Sequence, residues 1–196
     1  MNRKLTGWIV TGVMMVVASD RLAAQTMIGD FEGDQTAWVI PDWEREKTDH
    51  VAKDAGLSDE VAKGGKKSLK LNVGFSGKKS WEAAYVELEE PLNLVSNSKL
   101  AVDVYLPKDA PSGLAAQFCL SVGDNYVWAE QLKNIPLKPG EWTTIEVNIV
   151  PGSPEWKKIK VEESFRMEIQ KIGVRVSSNK KAVYSGPIYI DNVRGM

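Results

Sequence analysis

The chain runs to 196 residues with 25 basic and 26 acidic side chains, a formal charge of −1, one cysteine and one histidine. So even a balance argues against nucleic acid or an anionic membrane as the partner. With only His50 and Cys119 available, a His-based catalytic triad, a histidine-rich zinc site and an intrachain disulfide are excluded.

In chain order, the first element has the pattern of a secretory signal peptide over residues 1–24. Arg3 and Lys4 precede an apolar run over 5–18, and Ala23 and Ala24 offer small residues for cleavage. The run is shorter than the roughly 20 residues of a spanning helix, and Asp20 and Arg21 follow it. An uncleaved anchor is the competing reading. Cleavage would leave 172 residues, enough for one domain with one core, and removing a net +2 takes the charge from −1 to −3. The expected address is secreted or periplasmic, with no membrane contact after cleavage.

IGDFEG (28–33) reads as a first short strand carrying Glu32, and AWVIPDW (37–43) brings Trp38 and Trp43. Residues 44–67 are charged and weakly patterned, with one helical turn expected at 58–63. Alternating runs then follow at 68–75, 81–88, 99–106, 114–122, 126–132, 143–150, 169–177 and 187–193, separated by Ser-Gly, Gly-Asp-Asn, Pro-Gly and Ser-Asn turns. PGSPEWKK, within 151–165, reads as a loop or short helix. This spacing predicts an all-β, two-sheet antiparallel β-sandwich of the jelly-roll kind over residues 25–196. A barrel and an immunoglobulin-like sandwich compete, but neither accounts as well for a first strand that meets the last.

Period-two alternation sends Leu100, Val102, Val104, Leu106, Leu114, Ala116, Phe118, Leu120, Ile145, Val147, Ile149, Ile172, Val174 and Val176 to the core. The opposite faces carry Trp81, Tyr85, Asp103, Tyr105, Gln117, Tyr126, Trp128, Glu130 and Arg175, unlike an ordinary solvent face of Lys, Glu, Thr and Ser. Flat aromatics stack on the apolar C–H face of a pyranose, and planar polar groups pair with its hydroxyls. Trp81 and Trp128 are the expected platforms, because their neighbours on the other face already supply core. Gln117, Arg175 and Asp103 are expected to read hydroxyls. Tyr85, Trp38 and Trp43 are balanced between ligand contact and packing, Trp142 is expected to pack at a sheet edge, and Cys119 to be buried and inert.

The closing run YSGPIYIDNVR (184–194) puts Asp191 opposite the core-facing Ile188 and Ile190. If first and last strands pair, Glu32 and Asp191 come close, and two close carboxylates call for a cation. Calcium takes about six to eight oxygens, which backbone carbonyls of Gly65 and Lys67 would help to supply. Two exposed acids at strand ends are the alternative.

The stretches SLKLNV, SWEAAYV, VDVYLP, KIGVRV and YSGPIYIDNVR, in that order and spacing, resemble the mannan-binding carbohydrate-binding modules of family twenty-seven. More broadly they are similar to galactose-binding-domain-like jelly rolls attached to secreted glycosidases. The resemblance covers about residues 28–194 and implies a calcium-containing β-sandwich that holds mannooligosaccharides on surface tryptophans. Trp81 matches one stacking position. Trp38 and Trp43 match a pair whose first member stacks, which favours Trp38. The third platform falls to Tyr126 or Trp128 in GDNYVW, a departure that bears on mannan preference. GPIYIDNV also occurs in β-glucan binders.

The resulting expectation is a monomeric, non-catalytic module binding mannan or glucomannan, in association with a secreted glycoside hydrolase. Affinity should be about −6 to −8 kcal/mol. The rivals are a β-glucan binder of a neighbouring family, a small glycosidase using two outward carboxylates among Glu87, Glu130, Asp103 and Glu146, and a structural or adhesion module.

Overall fold

The computed structural model describes residues 25–157, 159–179 and 181–196. The expected signal peptide lies outside the described residues. The elements, in order, are β1 (Thr26–Gly29), α1 (Asp42–Arg45), β2 (Ala52–Ser58), β3 (Ser68–Ser76), β4 (Glu82–Leu88), β5 (Lys99–Leu106) and β6 (Leu114–Val122). They continue with β7 (Val127–Gln131), β8 (Ile135–Pro136), β9 (Glu141–Asn148), β10 (Trp156–Lys157), α2 (Glu163–Met167), β11 (Ile169–Ser178) and β12 (Val183–Gly195). They form two antiparallel six-stranded sheets. Sheet A has the order β2-β3-β12-β5-β9 with β1 on β12, and sheet B the order β10-β7-β6-β11-β4 with β8 on β6. The fold is the two-sheet jelly-roll sandwich the alternation predicts.

Every residue assigned to the core by alternation is buried in one cluster between the sheets. The inward rows of β3, β5 and β12 meet those of β4, β6 and β11, so each sheet has one face on the core and one facing outward. Trp156, uninformative in sequence, packs on Phe165 with ring centres 5.1 Å apart and donates its indole N–H to the Asn148 carbonyl. Trp142 sits on β9, an edge strand of sheet A, and stacks with Tyr105 at 5.4 Å.

Two local readings are corrected. The helical turn expected at 58–63 is absent: β2 ends at Ser58 and bends follow. Its side chains instead serve the sheet, with Glu60 accepting hydrogen bonds from Tyr189 and Lys70. β2 itself has no alternation in its sequence because its register on β3 shifts between Ala52 and Asp54. That bulge brings Ala52, Ala55 and Leu57 to the core side at uneven spacing.

First and last strands do pair, β1 against β12. Asp191 is fully buried and accepts backbone N–H bonds from Lys63 and Gly64 at 2.8 and 3.1 Å. Glu32 accepts others from Lys66 and Lys67. Gly65, at φ +60°, leaves the room Glu32 occupies, since a Cβ there would fall 2.4 Å from its carboxylate. The two acids thus pin the 63–67 loop from both termini. Replacing Asp191 by Ala strands three amide hydrogens, those of Lys63, Gly64 and Asn192, and should cost about 1–3 kcal/mol in urea unfolding. Trypsin should then cut faster at Lys63, Lys66 and Lys67. Unchanged stability and cleavage would mean that the loop holds itself.

Candidate functional site

The outer face of sheet B is built from three cross-strand rows. Tyr85, Arg175 and Gln117 form one; Glu87, Gly173, Cys119 and Glu130 the next; Lys171, Ser121 and Trp128 the third. Gly173 is the low point of the middle row. A Cβ there would lie 2.0 Å from the Tyr85 hydroxyl, so only glycine lets the Tyr85 ring lie flat across β11. Tyr85 is buried as a result, although it faces away from the core. Its burial is the main cause holding the phenol pKa well above normal, with the Glu87 carboxylate adding to it. The hydroxyl makes no hydrogen bond among the described residues.

Tyr85 supports two tryptophans. Trp43 packs on it at 5.3 Å and Trp128 at 5.7 Å, and these two meet edge to face at 6.3 Å. Trp43 arrives from the other edge of the sheet. Val39 exchanges backbone hydrogen bonds with Glu87 on edge strand β4, which turns Trp38 and Ile40 into the core and leaves Val39 outside. The single turn of α1 then carries Trp43 over the outer face.

Four aromatics remain open to solvent here: Trp43 at 43%, Trp81 at 51%, Tyr126 at 47% and Trp128 at 38% exposure. Trp43 stands between two clefts of about 400 Å³ each. One is walled by Trp81, Arg175, His50 and Lys79, the other by Tyr126, Trp128, Lys171 and Glu87. Tyr126 reaches its place from a turn, with φ +52°, and Lys171 lies 5.8 Å over its ring. Arg175 lies 5.5 Å over Trp81.

The cations here are already paired. Lys47 meets Glu44, Lys79 meets Asp49, Lys171 meets Glu87 and Glu89, and Arg175 and Lys157 both meet Glu130. The Arg175 hydrogen bond is the main cause holding the Glu130 carboxyl down at about 2. Because this lies below the unfolded value of about 4.3, its stabilising contribution is present above that pH and is lost as pH falls through the folded value. Cys119 lies beneath these groups with its thiol pushed up to about 12 by burial, the inert state expected of it.

The expected site residues therefore divide. Trp81, Tyr126, Trp128 and Arg175 come together. Trp38 does not: it is 3% exposed, in the core against Phe31, and Trp43 takes the surface position. Gln117 is fully buried, donating to the Gln131 carbonyl. Tyr85 supports the platforms from below and is not itself a contact surface. Asp103 is on the other sheet, buried on its outer side and held by Arg194 and Thr144. Trp43, balanced in the sequence between ligand contact and packing and passed over for Trp38, joins the site, as does Glu130, which the sequence shows only as an outward carboxylate.

Glu32 and Asp191 both reach the 63–67 loop, away from this face. Among the described residues no group of three or more His, Cys, Asp and Glu side chains is arranged for a metal. Any ion there would need carbonyl oxygens, and the loop now turns N–H groups towards both acids.

Gly173→Ala must lift Tyr85 off β11. A loss of about 1–3 kcal/mol is expected in urea unfolding, as for other overpacked sites, with a change in near-ultraviolet circular dichroism from the displaced tryptophans. A variant with native stability and spectrum would show that the ring has room elsewhere.

Solved structures with this architecture include CBM27-1 of Caldicellulosiruptor saccharolyticus in complex with mannohexaose. It is 19% identical at TM-score 0.59, with 87% of this chain and 96% of that one covered. A carbohydrate-binding module of family 28, specific for non-crystalline cellulose, is 16% identical at TM-score 0.59, with coverage of 85% and 92%. The family 11 module of Clostridium thermocellum, in complex with a β-1,3-1,4-mixed-linked tetrasaccharide, is 15% identical at TM-score 0.52, with coverage of 88% and 95%. At these identities the likeness is one of fold. No curated protein matches the chain. Residues 29–192 match the family model described as mannanase, galactose-binding domain-like, and the chain belongs to that family.

Proposed function

We propose that the protein is a non-catalytic module that binds a neutral β-linked polysaccharide across the outer face of sheet B. Trp81, Trp43 and Trp128 serve as platforms and Tyr126 borders the groove. The observation that carries this reading is the set of four exposed aromatics on one sheet face, two of them, Trp43 and Trp128, packed on the buried Tyr85. Solvent-exposed tryptophans cost apolar hydration that a stacked pyranose relieves. The paired cations supply no spare positive charge for uronic acids or sulfates, which supports a neutral chain.

Mannan or glucomannan is the first choice of ligand, supported by the family match and by the mannohexaose complex of a module with this fold. β-Glucan is the second reading, because modules of the same fold carry a mixed-linked glucan tetrasaccharide or select non-crystalline cellulose. Catalysis is disfavoured by the carboxylates themselves. Glu130 is held ionised at about 2 by Arg175, whereas a glycosidase acid needs a raised pKa. Glu87 is buried against Lys171, and Asp103 and Glu146 belong to the other sheet. Export through residues 1–24 and delivery of a partner glycoside hydrolase complete the proposal.

Affinity electrophoresis through glucomannan, galactomannan, β-glucan and xylan gels tests this reading. Retardation by the mannans is expected, with Trp81→Ala and Trp128→Ala each weakening binding by on the order of 2 kcal/mol, about 30-fold. Retardation by β-glucan alone keeps the site and changes the sugar. No retardation by any gel refutes sugar binding.

Calcium at the far end is a separate part of the proposal, held by Glu32 and Asp191 with carbonyls of Gly65 and Lys67. Burial pushes the Asp191 carboxyl above its ordinary range and the Asp103 charge adds to this, so a cation there would relieve unfavourable charge. Calorimetric titration of chelated protein should give heat and a raised melting temperature. If neither appears, hydrogen bonds to the loop are all that the two acids contribute, beside the pairing of β1 with β12.

A further inference from the structure

Glu130 projects outward from β7, opposite Cys119 on β6 and Lys157 on β10. Its Oε1 accepts the indole N–H of Trp128 at 3.2 Å and an Arg175 guanidinium N–H at 3.1 Å, while Oε2 accepts from Lys157 at 3.1 Å. Arg175 in turn lies over Trp81. One carboxylate thus links Trp128 on β7 directly, and Trp81 just before β4 through Arg175. We propose that Glu130 is the positioning residue of this face, fixing the rotation of Trp128 and the placement of Arg175 under Trp81, and hence the spacing a bound chain must match.

The proposal rests on the sugar-binding reading, and three features separate it from a plain surface ion pair. First, the Trp128 N–H is consumed by Glu130, so that ring is offered to a ligand by its face. Second, Arg175 is largely buried, and its guanidinium is held between Glu130 and the Trp81 ring. A buried guanidinium that loses its carboxylate must find another acceptor, and the Trp81 contact would move with it. Third, Lys157 holds the second oxygen, so the carboxylate cannot rotate to release one partner and keep the other. Ion pairs left free at the surface fix nothing, whereas a three-way contact at this spacing fixes two rings.

Glu130→Gln tests this. The amide keeps the shape and one acceptor but cannot satisfy Trp128, Arg175 and Lys157 together. Affinity for mannohexaose or glucomannan should fall at least 10-fold, with the fold retained in far-ultraviolet circular dichroism and the melting temperature lowered by an Arg175 that has lost its carboxylate. The tryptophan circular dichroism near 290 nm should change, and acrylamide should quench the emission more readily. In a Trp128→Phe background the same substitution should cost clearly less, because one of the two rings is gone. Acidification should reproduce the spectral change in the wild type only as the pH approaches the very low value at which Glu130 protonates. Glu130→Asp, which keeps the charge but is one methylene short, should lose affinity similarly and guards against a misfolded amide variant.

Wild-type affinity or an unaltered tryptophan spectrum in Glu130→Gln overturns the proposal. So does an equal loss in the Trp128→Phe background, which would mean that the carboxylate meets the ligand directly. The spectrum, quenching and acid profile need no ligand. If the wild type binds no glycan, sugar binding fails while Glu130 is still judged on those readouts.

Discussion

The outer face of sheet B depends on a missing side chain. At Gly173 strand β11 has no Cβ, and the space is filled by the phenol of Tyr85 from the neighbouring strand β4. The ring lies down across the sheet instead of standing off it, giving Trp43 and Trp128 a flat floor to rest on. A sheet face would otherwise present isolated side chains about 5 Å apart, each free to move. Laying one aromatic flat turns that array into a supported cluster, and the clefts on either side of Trp43 follow from it.

Electrostatics finish what packing starts. Lys47, Lys171 and Arg175 beside the platforms are engaged by carboxylates, which holds their geometry and lowers the net field there. Such a surface suits an uncharged ligand with one apolar ring face and many hydroxyls. Exposed pairs such as that of Lys47 contribute modestly to stability, whereas Glu130, with the largely buried Arg175, also orients the face through its contacts with Trp128, Arg175 and Lys157. The other end of the sandwich uses the same economy: Glu32 and Asp191 hold one glycine-containing loop from the two ends of the fold.

Trp38 and Trp43 illustrate how the chain distributes similar residues. Five positions apart and both flanked by apolar or acidic neighbours, they look interchangeable in sequence. The difference is made by two backbone hydrogen bonds between Val39 and Glu87, which add this segment to the edge of β4. With Val39 held outward, Trp38 and Ile40 must point inward, and the turn of α1 delivers Trp43 to the opposite side. α1 itself spans only four residues, too few for any periodic signal.

Local sequence names the core rows of the long strands, because period-two alternation is a local property of a pleated chain, though not core residues outside those rows such as Trp38 and Trp156. It located β5 and β6 to the residue, most other long strands to within a few, and the meeting of the first strand with the last. It also placed Trp81, Tyr126, Trp128 and Arg175 on outward faces. β2 escaped it because a bulge breaks the alternation. Which outer face each residue joins is set by the packing of the two sheets. Alternation separates inside from outside, but a sandwich has two outsides, and nothing local to β5 says that Asp103 lies on the sheet opposite Trp81. Nor does it tell an outward residue that stays exposed from one that a neighbour covers, as Trp43 and Trp128 cover Tyr85. Those outcomes depend on strand order and on contacts between residues far apart in the chain.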